Sequence, residues 1–420
     1  MILLASSMTT MVTSMVVFLT SILFLVVILL YAKEKLVPHG NVTIDINEGE
    51  QKVDTEPGSS LLNTLSEQKI FLPSACGGVG TCGMCKCQIF EGGGQILPTE
   101  VGFFTRKQIH EDWRLGCQVK VRNDLKIYVP DEVLGIKKWE CEVVSNRNVA
   151  SFIKEFVVKL PEGEKLNFRS GGYIQIDVPK YDMTFRDIDV EERFRSEWDK
   201  FKMWDLKIHN TVETYRAYSM ANHPAEGNIV ILNIRIATPP WDKAKDNWAA
   251  VPPGICSSYI FSRKPGDKVT VSGPYGEFFI RETNHEMLYI GGGAGMAPLR
   301  SHLFHLFHTL KTTDRKVSYW YGARSKNEIF YEDDFRAIEK KFPNFSFHIA
   351  LSEPRPEDHW TGYRGFIHQV IYDNYLNAHE APENIEYYMC GPGPMAAAVV
   401  KMLDNLGVPK EMLAFDDFGS

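Results

Sequence analysis

From Met8 to Tyr31 the chain carries no charged residue and is apolar at most positions. About 22 such residues at 1.5 Å each make roughly 33 Å of helix, the thickness of a bilayer core, so the pattern predicts a transmembrane anchor over 8–32. A cleaved signal peptide would have a basic start, a shorter apolar run and a small-residue cleavage site; here Lys33-Glu34-Lys35 follow instead. Positive charge only on that flank places the remaining domains in the cytoplasm. Thr9, Thr10, Thr13, Ser14, Thr20 and Ser21 could face partner helices or bond their own backbone.

After the anchor the apolar period falls to two. Val42, Ile44 and Ile46 alternate as a strand, and Leu61, Leu62 and Leu65 suit a helix. Cys87-Gln-Ile-Phe, Gln118-Val-Lys-Val and Lys126-Ile-Tyr-Val read as further strands, so 40–133 is expected to be one compact α+β unit. Over 134–283, Glu140-Cys-Glu-Val-Val, Phe156-Val-Val-Lys-Leu and Tyr173-Ile-Gln-Ile-Asp-Val alternate between Gly and Pro breaks. That spacing predicts an antiparallel β-barrel. A charged insertion from about 180 to 213 interrupts it, with Arg186, Asp187, Asp189, Glu191, Glu192 and Arg193 beside Trp198, Phe201 and Trp204. The charges suit a solvated surface, and the aromatics also suit a partner interface.

Residues 284–420 change rhythm again. Apolar strands at Met287-Leu-Tyr-Ile, Val317-Ser-Tyr-Trp-Tyr, Phe345-Ser-Phe-His-Ile and Glu386-Tyr-Tyr-Met alternate with helical stretches, one starting near Pro298. This predicts a parallel, Rossmann-like α/β sheet. The expected fold is therefore multidomain, α+β and α/β.

Composition narrows the function. The chain has 420 residues and a formal net charge of −7, which removes the basic footprint of a nucleic-acid binder. Of eight cysteines, four crowd one motif and Cys87, Cys141, Cys256 and Cys390 are scattered, a pattern that suits a reducing compartment.

The motif is Ser74-Ala-Cys76-Gly-Gly-Val-Gly-Thr-Cys82-Gly-Met-Cys85, answered by Arg114-Leu-Gly-Cys117. Thiolates ligate iron, and glycines bring backbone N–H groups to cluster sulfides, so Cys76, Cys82, Cys85 and Cys117 are candidate ligands of a 2Fe-2S cluster. The spacing is C-x5-C-x2-C, one residue longer in the first gap than the plant-type pattern. Zinc also takes four thiolates, but usually from two short hooks, and this chain has one hook and a lone partner. Cys87 reads as a small buried hydrophobe.

Two weaker motifs lie in the barrel. Arg216-Ala-Tyr218-Ser219 could hold a flavin, with Tyr218 beside the ring, Arg216 near phosphate or a ring oxygen, and Ser219 near a ring nitrogen. Gly254-Ile-Cys256-Ser257-Ser258 starts a helix whose N–H groups could take a pyrophosphate. Gly291-Gly292-Gly293-Ala-Gly295 and Cys390-Gly-Pro-Gly-Pro394 both fall at C-terminal strand ends, where such sheets bind dinucleotides. His302, His305 and His308 read as a solvated helix face. Arg324 and Lys326 follow a strand end where a cation could accept a 2′-phosphate, which leaves NADPH open beside NADH.

These motifs, in this order, make residues 134–420 resemble the ferredoxin-NADP reductase superfamily, and the cluster unit resembles a plant-type (β-grasp) ferredoxin fused to it. Phenol and toluene hydroxylase reductases share the fusion but are soluble. With the anchor, the C-x5-C spacing, the insertion and the terminal Phe415-Asp-Asp-Phe418-Gly, the whole chain resembles the NADH-oxidising member of the sodium-translocating NADH:quinone reductase family. The resemblance implies a bacterial inner-membrane protein that passes electrons from NADH through FAD and the cluster to partner subunits and ubiquinone. It also implies that Arg216, Tyr218 and Ser219 hold the flavin, that Ser257 and Ser258 lie near its pyrophosphate, and that Cys390 lies near the nicotinamide. Phe418 would cover the flavin. Sodium would be handled by other subunits, because an anchor without an ionisable residue offers no ion path. A reductase feeding an oxygenase is the other reading, although it has no need of an anchor.

Overall fold

The computed structural model describes residues 2–36, 40–242 and 244–416. The chain divides into two compact units, one of Met1–Pro73 with Gly78–Leu134, which begins with the helix Ile2–Leu36, and one of Ser74–Gly77 with Gly135–Ser420. Side chains of that helix are described for 13–29 and 31, and the large apolar ones among them, such as Phe18, Leu23 and Leu29, are exposed. Among the described residues no helix is long and apolar enough to cross a membrane.

The first unit is a mixed sheet of β1 (Val42–Ile46), β2 (Gln51–Thr55), β3 (Lys86–Glu91), β4 (Trp113–Leu115) and β5 (Leu125–Tyr128), in the order β2-β1-β5-β3-β4. β1 runs parallel to β5, while its other partner and the β3 pairs are antiparallel. Val42, Ile44 and Ile46 are buried at alternate positions, which is the period-two pattern at work. The helix Leu61–Glu67 starts where Ser60 accepts the Asn63 N–H, and it buries Leu61, Leu62 and Leu65.

One expected strand is absent. Around Gln118–Val121 only an isolated bridge forms, Ser60 to Lys120. Val119 and Val121 are buried, but their backbone bonds go to the loop before the helix: Leu61 N–H to Val119 O, Gly58 N–H to Val121 O and Val121 N–H to Ser59 O. Alternation marked burial there without a neighbouring strand to extend.

The second unit opens with β6 (Lys137–Ala150), β7 (Ile153–Lys159) and β8 (Tyr173–Val178), followed by the hairpin β9 (Tyr181–Thr184) and β10 (Lys207–Asn210). β11 (Thr214–Ser219), β12 (Ile229–Arg235), the small hairpin β13 (Trp241–Asp242) with β14 (Asn247–Trp248), and β15 (Lys268–Tyr275) come next. The large sheet runs β11-β8-β15-β6-β7-β12, antiparallel throughout. A bridge between Met220 and Leu232, with the Ala221 N–H on Ile231 O at 2.7 Å, joins its two edges and closes the barrel.

In the insertion the charged side chains Arg186, Asp187, Asp189, Glu191, Glu192 and Arg193 are exposed, as expected, while the aromatics turn inward. Trp198 and Phe194 are completely buried, Phe201 and Trp204 pack on the same core, and the Trp198 indole donates to Ser151 O at 2.7 Å. Its helix Glu192–Lys200 turns the aromatics inward and leaves Arg193 and Asp199 in solvent, so the aromatics form core and not a partner surface.

The remainder is a six-stranded parallel sheet: β16 (Met287–Gly292), β17 (Val317–Ala323), β18 (Phe345–Leu351), β19 (Tyr363–Arg364), β20 (Glu386–Cys390) and β21 (Leu413–Asp416). The order β19-β18-β17-β16-β20-β21 reverses between β16 and β20. Its strands bury residues on both faces, as in all-parallel sheets covered by helices. The helix expected near Pro298 begins at Met296.

Candidate functional site

The cysteine loop runs between the helix Leu61–Glu67 and β3. Gly78, Gly80 and Gly83 have φ of +86°, +89° and +68°, backbone that side chains other than glycine rarely adopt. At Gly83 the restriction is double, because a Cβ would also run into the Phe103 ring. Cys85 and Cys117 are buried, and their sulfurs hydrogen-bond to each other, which with burial drives the Cys85 pKa far up. Gly116 N–H bonds Cys85 O at 2.8 Å, and Gln118 reaches Cys117 Sγ at 3.6 Å. Thiols pressed together in a loop of left-handed glycines fit a sulfur-bridged cluster, in which each iron takes a pair of neighbouring thiolates. Cys82 is half-buried in the same unit, and Cys76 lies in the short stretch that belongs to the second. Among the described residues no group of three or more His, Cys, Asp or Glu is placed to hold a single metal ion. Cys87 is fully buried, its thiol pushed up to about 12 mainly by burial.

In the second unit, β11 presents the candidate flavin residues. Arg216 folds back on its own strand, donating to Tyr215 O at 2.7 Å and Thr214 Oγ1 at 3.3 Å. Tyr218 packs against the barrel core near Cys256; burial raises its phenol well above the usual value, and Arg216 opposes that rise. Burial likewise pushes the Cys256 thiol up to about 11, against the same guanidinium. The strand therefore brings Arg216, Tyr218 and Cys256 together.

No side chain caps the helix Ile255–Ser262 at Gly254. Its first N–H groups and dipole thus suit an anion. Gly254 is required there, since a Cβ would stand 2.6 Å from Ala237 Cβ. Ser257 and Ser258 differ. Ser257 Oγ is engaged within the chain, accepting the Ala237 N–H at 3.1 Å and donating to Gly254 O at 3.2 Å. Ser258 Oγ is buried and has no partner. An uncapped helix start beside an orphaned hydroxyl fits a flavin pyrophosphate.

At the reversal point of the parallel sheet lies a cavity of about 510 Å³. Gly292 at the end of β16 and Gly293 just after it, Gly322 from β17, Pro392 and Met395 after β20, and Ile153 and Arg235 from the barrel line it. Gly295 lies beneath, where a Cβ would collide with the Cys390 carbonyl and the Gly391 nitrogen. The glycine turn and the end of β20 therefore touch through bare backbone, as a turn that admits a pyrophosphate closely must. Cys390 is 1% exposed and pairs with Asp416 in the parallel register of β20 and β21. The Asp416 carboxylate in turn accepts the Ser219 hydroxyl at 2.6 Å.

Ser219, Asp416 and Cys390 are thus brought to one place, where β11, the candidate flavin strand, meets the parallel sheet. Neither Asp416 nor Arg235 is given a role by the sequence: Asp416 falls in the terminal Phe415-Asp-Asp-Phe418 run, which carries only the resemblance, and Arg235 ends a strand without a motif. Phe418 lies outside the described residues. Of the three histidines only His308 is exposed as expected and His305 is half-buried, whereas His302 is fully buried, bonded to Phe278 O at 3.0 Å, and burial holds it down to about 4. His305 and His308 pack beside the buried His223.

Comparison with known proteins agrees in order with these parts. The 2Fe-2S iron-sulfur cluster binding domain family matches residues 44–122, the oxidoreductase FAD-binding domain family 197–280, and the oxidoreductase NAD-binding domain family 289–401. The F subunit of the Na(+)-translocating NADH-quinone reductase of Methylococcus capsulatus is 53% identical over 405 residues, covering 96% of this chain and 98% of that one. This chain belongs to the family of Na(+)-translocating NADH-quinone reductase F subunits. The F subunit of Idiomarina loihiensis is 54% identical over 95% of this chain and 96% of its own. Among solved structures, the Amycolatopsis cytochrome P450 reductase GcoB matches with a TM-score of 0.61 at 22% identity, over 90% of this chain and 98% of that one. The ferredoxin reductase in carbazole 1,9a-dioxygenase matches with a TM-score of 0.57 at 26% identity, over 91% and 99%. The cofactors of this family member are a 2Fe-2S cluster, FAD and NADH.

Proposed function

We propose that this chain is the electron-input subunit of a bacterial respiratory complex. It oxidises NADH by hydride transfer to FAD, and single electrons pass through its 2Fe-2S cluster to partner subunits that reduce ubiquinone and export Na+. The observation that carries this reading is the meeting of Ser219, at the end of the flavin strand, with Asp416 and Cys390 beside the nucleotide cavity.

Bound FAD supplies the change from two-electron to one-electron chemistry. The chain's own residues do the positioning. Arg216 and Tyr218 hold the flavin on β11, and Cys256 packs beneath them. The N–H groups after Gly254 take the pyrophosphate, with Ser258 as its buried hydroxyl donor and Ser257 closing the loop that shapes it. Gly292, Gly293 and Gly295 let the dinucleotide approach the backbone, and the buried Cys390 packs at the nicotinamide end and keeps water out. Ser219, whose proton is engaged by the Asp416 carboxylate, turns its oxygen lone pairs toward the reacting ring as an acceptor. Cys76, Cys82, Cys85 and Cys117 ligate the cluster.

The helix Ile2–Leu36 is the membrane anchor in this reading. A helix with apolar side chains exposed around its surface is stable in lipid, and the run has no ionisable residue that could serve an ion path. The soluble units then lie on the cytoplasmic side of the inner membrane.

The test is an anaerobic NADH titration of the full-length chain in detergent, followed by visible and electron paramagnetic resonance spectra. Bleaching of about one FAD with growth of a 2Fe-2S signal is the expected result. Flavin bleaching with no cluster signal would remove the proposed electron route.

A further inference from the structure

The nucleotide cavity is mostly apolar and backbone, and its ionised lining side chains are Arg235, Arg324 and Glu328. Arg324 and Glu328 stand just past the end of β17, the strand beside the glycine-turn strand β16. In sheets of this kind the pyrophosphate lies on the glycine turn and the adenosine ribose falls near the neighbouring strand end. There a carboxylate takes the 2′-hydroxyl, or a cation takes a 2′-phosphate. This chain places both groups there.

Arg324 Nη2 is 3.6 Å from Glu328 Oε1, and the same oxygen accepts the Ser151 hydroxyl at 2.6 Å. Ser151 is fully buried in the barrel, and the Glu328 side chain is 13% exposed. The carboxylate is therefore held from the barrel and from the sheet together. The Tyr321 hydroxyl, bonded to Glu328 O at 3.1 Å, fixes its backbone as well. Arg235 stands within electrostatic range of both Arg324 and Glu328.

We propose that Glu328, held by Ser151 and Arg324, is the residue that restricts this cavity to the unphosphorylated dinucleotide. Arg324 is a latent 2′-phosphate receptor that Glu328 keeps occupied. This proposal rests on the reading of the cavity as the NADH site. A 2′-phosphate arriving at Arg324 meets a carboxylate that cannot swing away without abandoning the Ser151 hydroxyl, and like charges brought together at a partly buried site repel. Glutamine at 328 keeps the shape and the Ser151 bond, removes the repulsion, and leaves Arg235 and Arg324 uncompensated.

The experiment measures calorimetric binding of 5′-AMP and 2′,5′-ADP to the full-length chain in detergent, for wild type, E328Q and E328Q/R324Q. FAD content serves as the folding control. E328Q is expected to raise the preference for 2′,5′-ADP over 5′-AMP at least about tenfold relative to wild type. The NADPH-to-NADH ratio of kcat/KM should rise in parallel, and E328Q/R324Q should lose the gain. Normal 5′-AMP binding with unchanged 2′,5′-ADP binding in E328Q would overturn this proposal alone, as would a gain that persists without Arg324. A wild-type chain that binds neither NADH nor 5′-AMP would overturn the NADH reading of the cavity and this proposal with it.

Discussion

The Ser219 hydroxyl donates to the Asp416 carboxylate across 2.6 Å, joining the last residue of β11 to the last described residue of the chain. Residues 197 positions apart in sequence thus share one hydrogen bond at the candidate site. The charge of the acceptor strengthens that bond and fixes the hydroxyl's direction.

Removing either partner should slow chemistry more than binding. Asp416→Asn and Ser219→Ala are expected to retain FAD while the rate at which NADH bleaches it falls by about ten- to hundredfold, as for a displaced hydrogen-bonding group at a reacting centre. Stopped-flow absorbance of the flavin checks this. A rate unchanged in both variants would mean that the pair is structural.

Gly295 admits no side chain. Gly295→Ala would force its Cβ into the Cys390 carbonyl and the Gly391 nitrogen, both backbone and unable to rotate away. The glycine turn and the end of β20 must then part, so NADH affinity should fall by about tenfold or more, with a stability loss of about 1–3 kcal/mol. Binding titration and denaturant midpoints measure the two effects separately.

The cysteines should divide cleanly. Cys117→Ser is expected to abolish the 2Fe-2S signal while NADH still bleaches the flavin, because the second unit folds its own nucleotide cavity. Cys87→Ser should keep the signal, since that thiol is buried without a ligand's role, and cost about 1 kcal/mol for placing a hydroxyl among apolar neighbours. Electron paramagnetic resonance of the reduced proteins distinguishes the outcomes.

His302 makes the second unit sensitive to acid. Burial lowers its pKa to about 4, with hydrogen bonds to Phe278 O and the Ser170 backbone opposing the shift. The unfolded chain takes up the proton near pH 6.5 and the folded one only near 4, so stability falls as pH drops through that window. The full loss is about 3 kcal/mol. Urea midpoints of wild type and His302→Gln at pH 7 and pH 5 should differ in slope, with the variant flatter.

Local physics made much of the fold legible. Val42–Ile46 and Tyr173–Val178 announce themselves because one face of each strand must be apolar, and four of the six parallel strands because strands buried on both faces are apolar throughout. β19 and β21 escaped, being short edge strands with mixed burial whose pairing partners, not their composition, define them. Gln118–Val121 misled for the converse reason: alternation reports which side chains are buried, not where backbone N–H groups find acceptors. Only the aromatics of the insertion misled: in a helix carrying Glu192, Arg193, Arg195 and Asp199 they read as a partner surface, while Phe194 and Trp198 share one inward face.

For the site, the sequence alone determined the chemistry on offer: cysteines at cluster spacing, glycines at strand ends, and an Arg-x-Tyr-Ser strand. Those signals survive translation into one dimension because each ligand demands particular residue types a few positions apart. Only the tertiary structure decided which groups meet. It brought Asp416 to Ser219, set both Ser151 and Arg324 on the Glu328 carboxylate, left Ser258 rather than Ser257 with a free hydroxyl, and buried His302. Each of these depends on which strand ends a closed barrel and a reversing parallel sheet bring into register, and no local pattern encodes that placement.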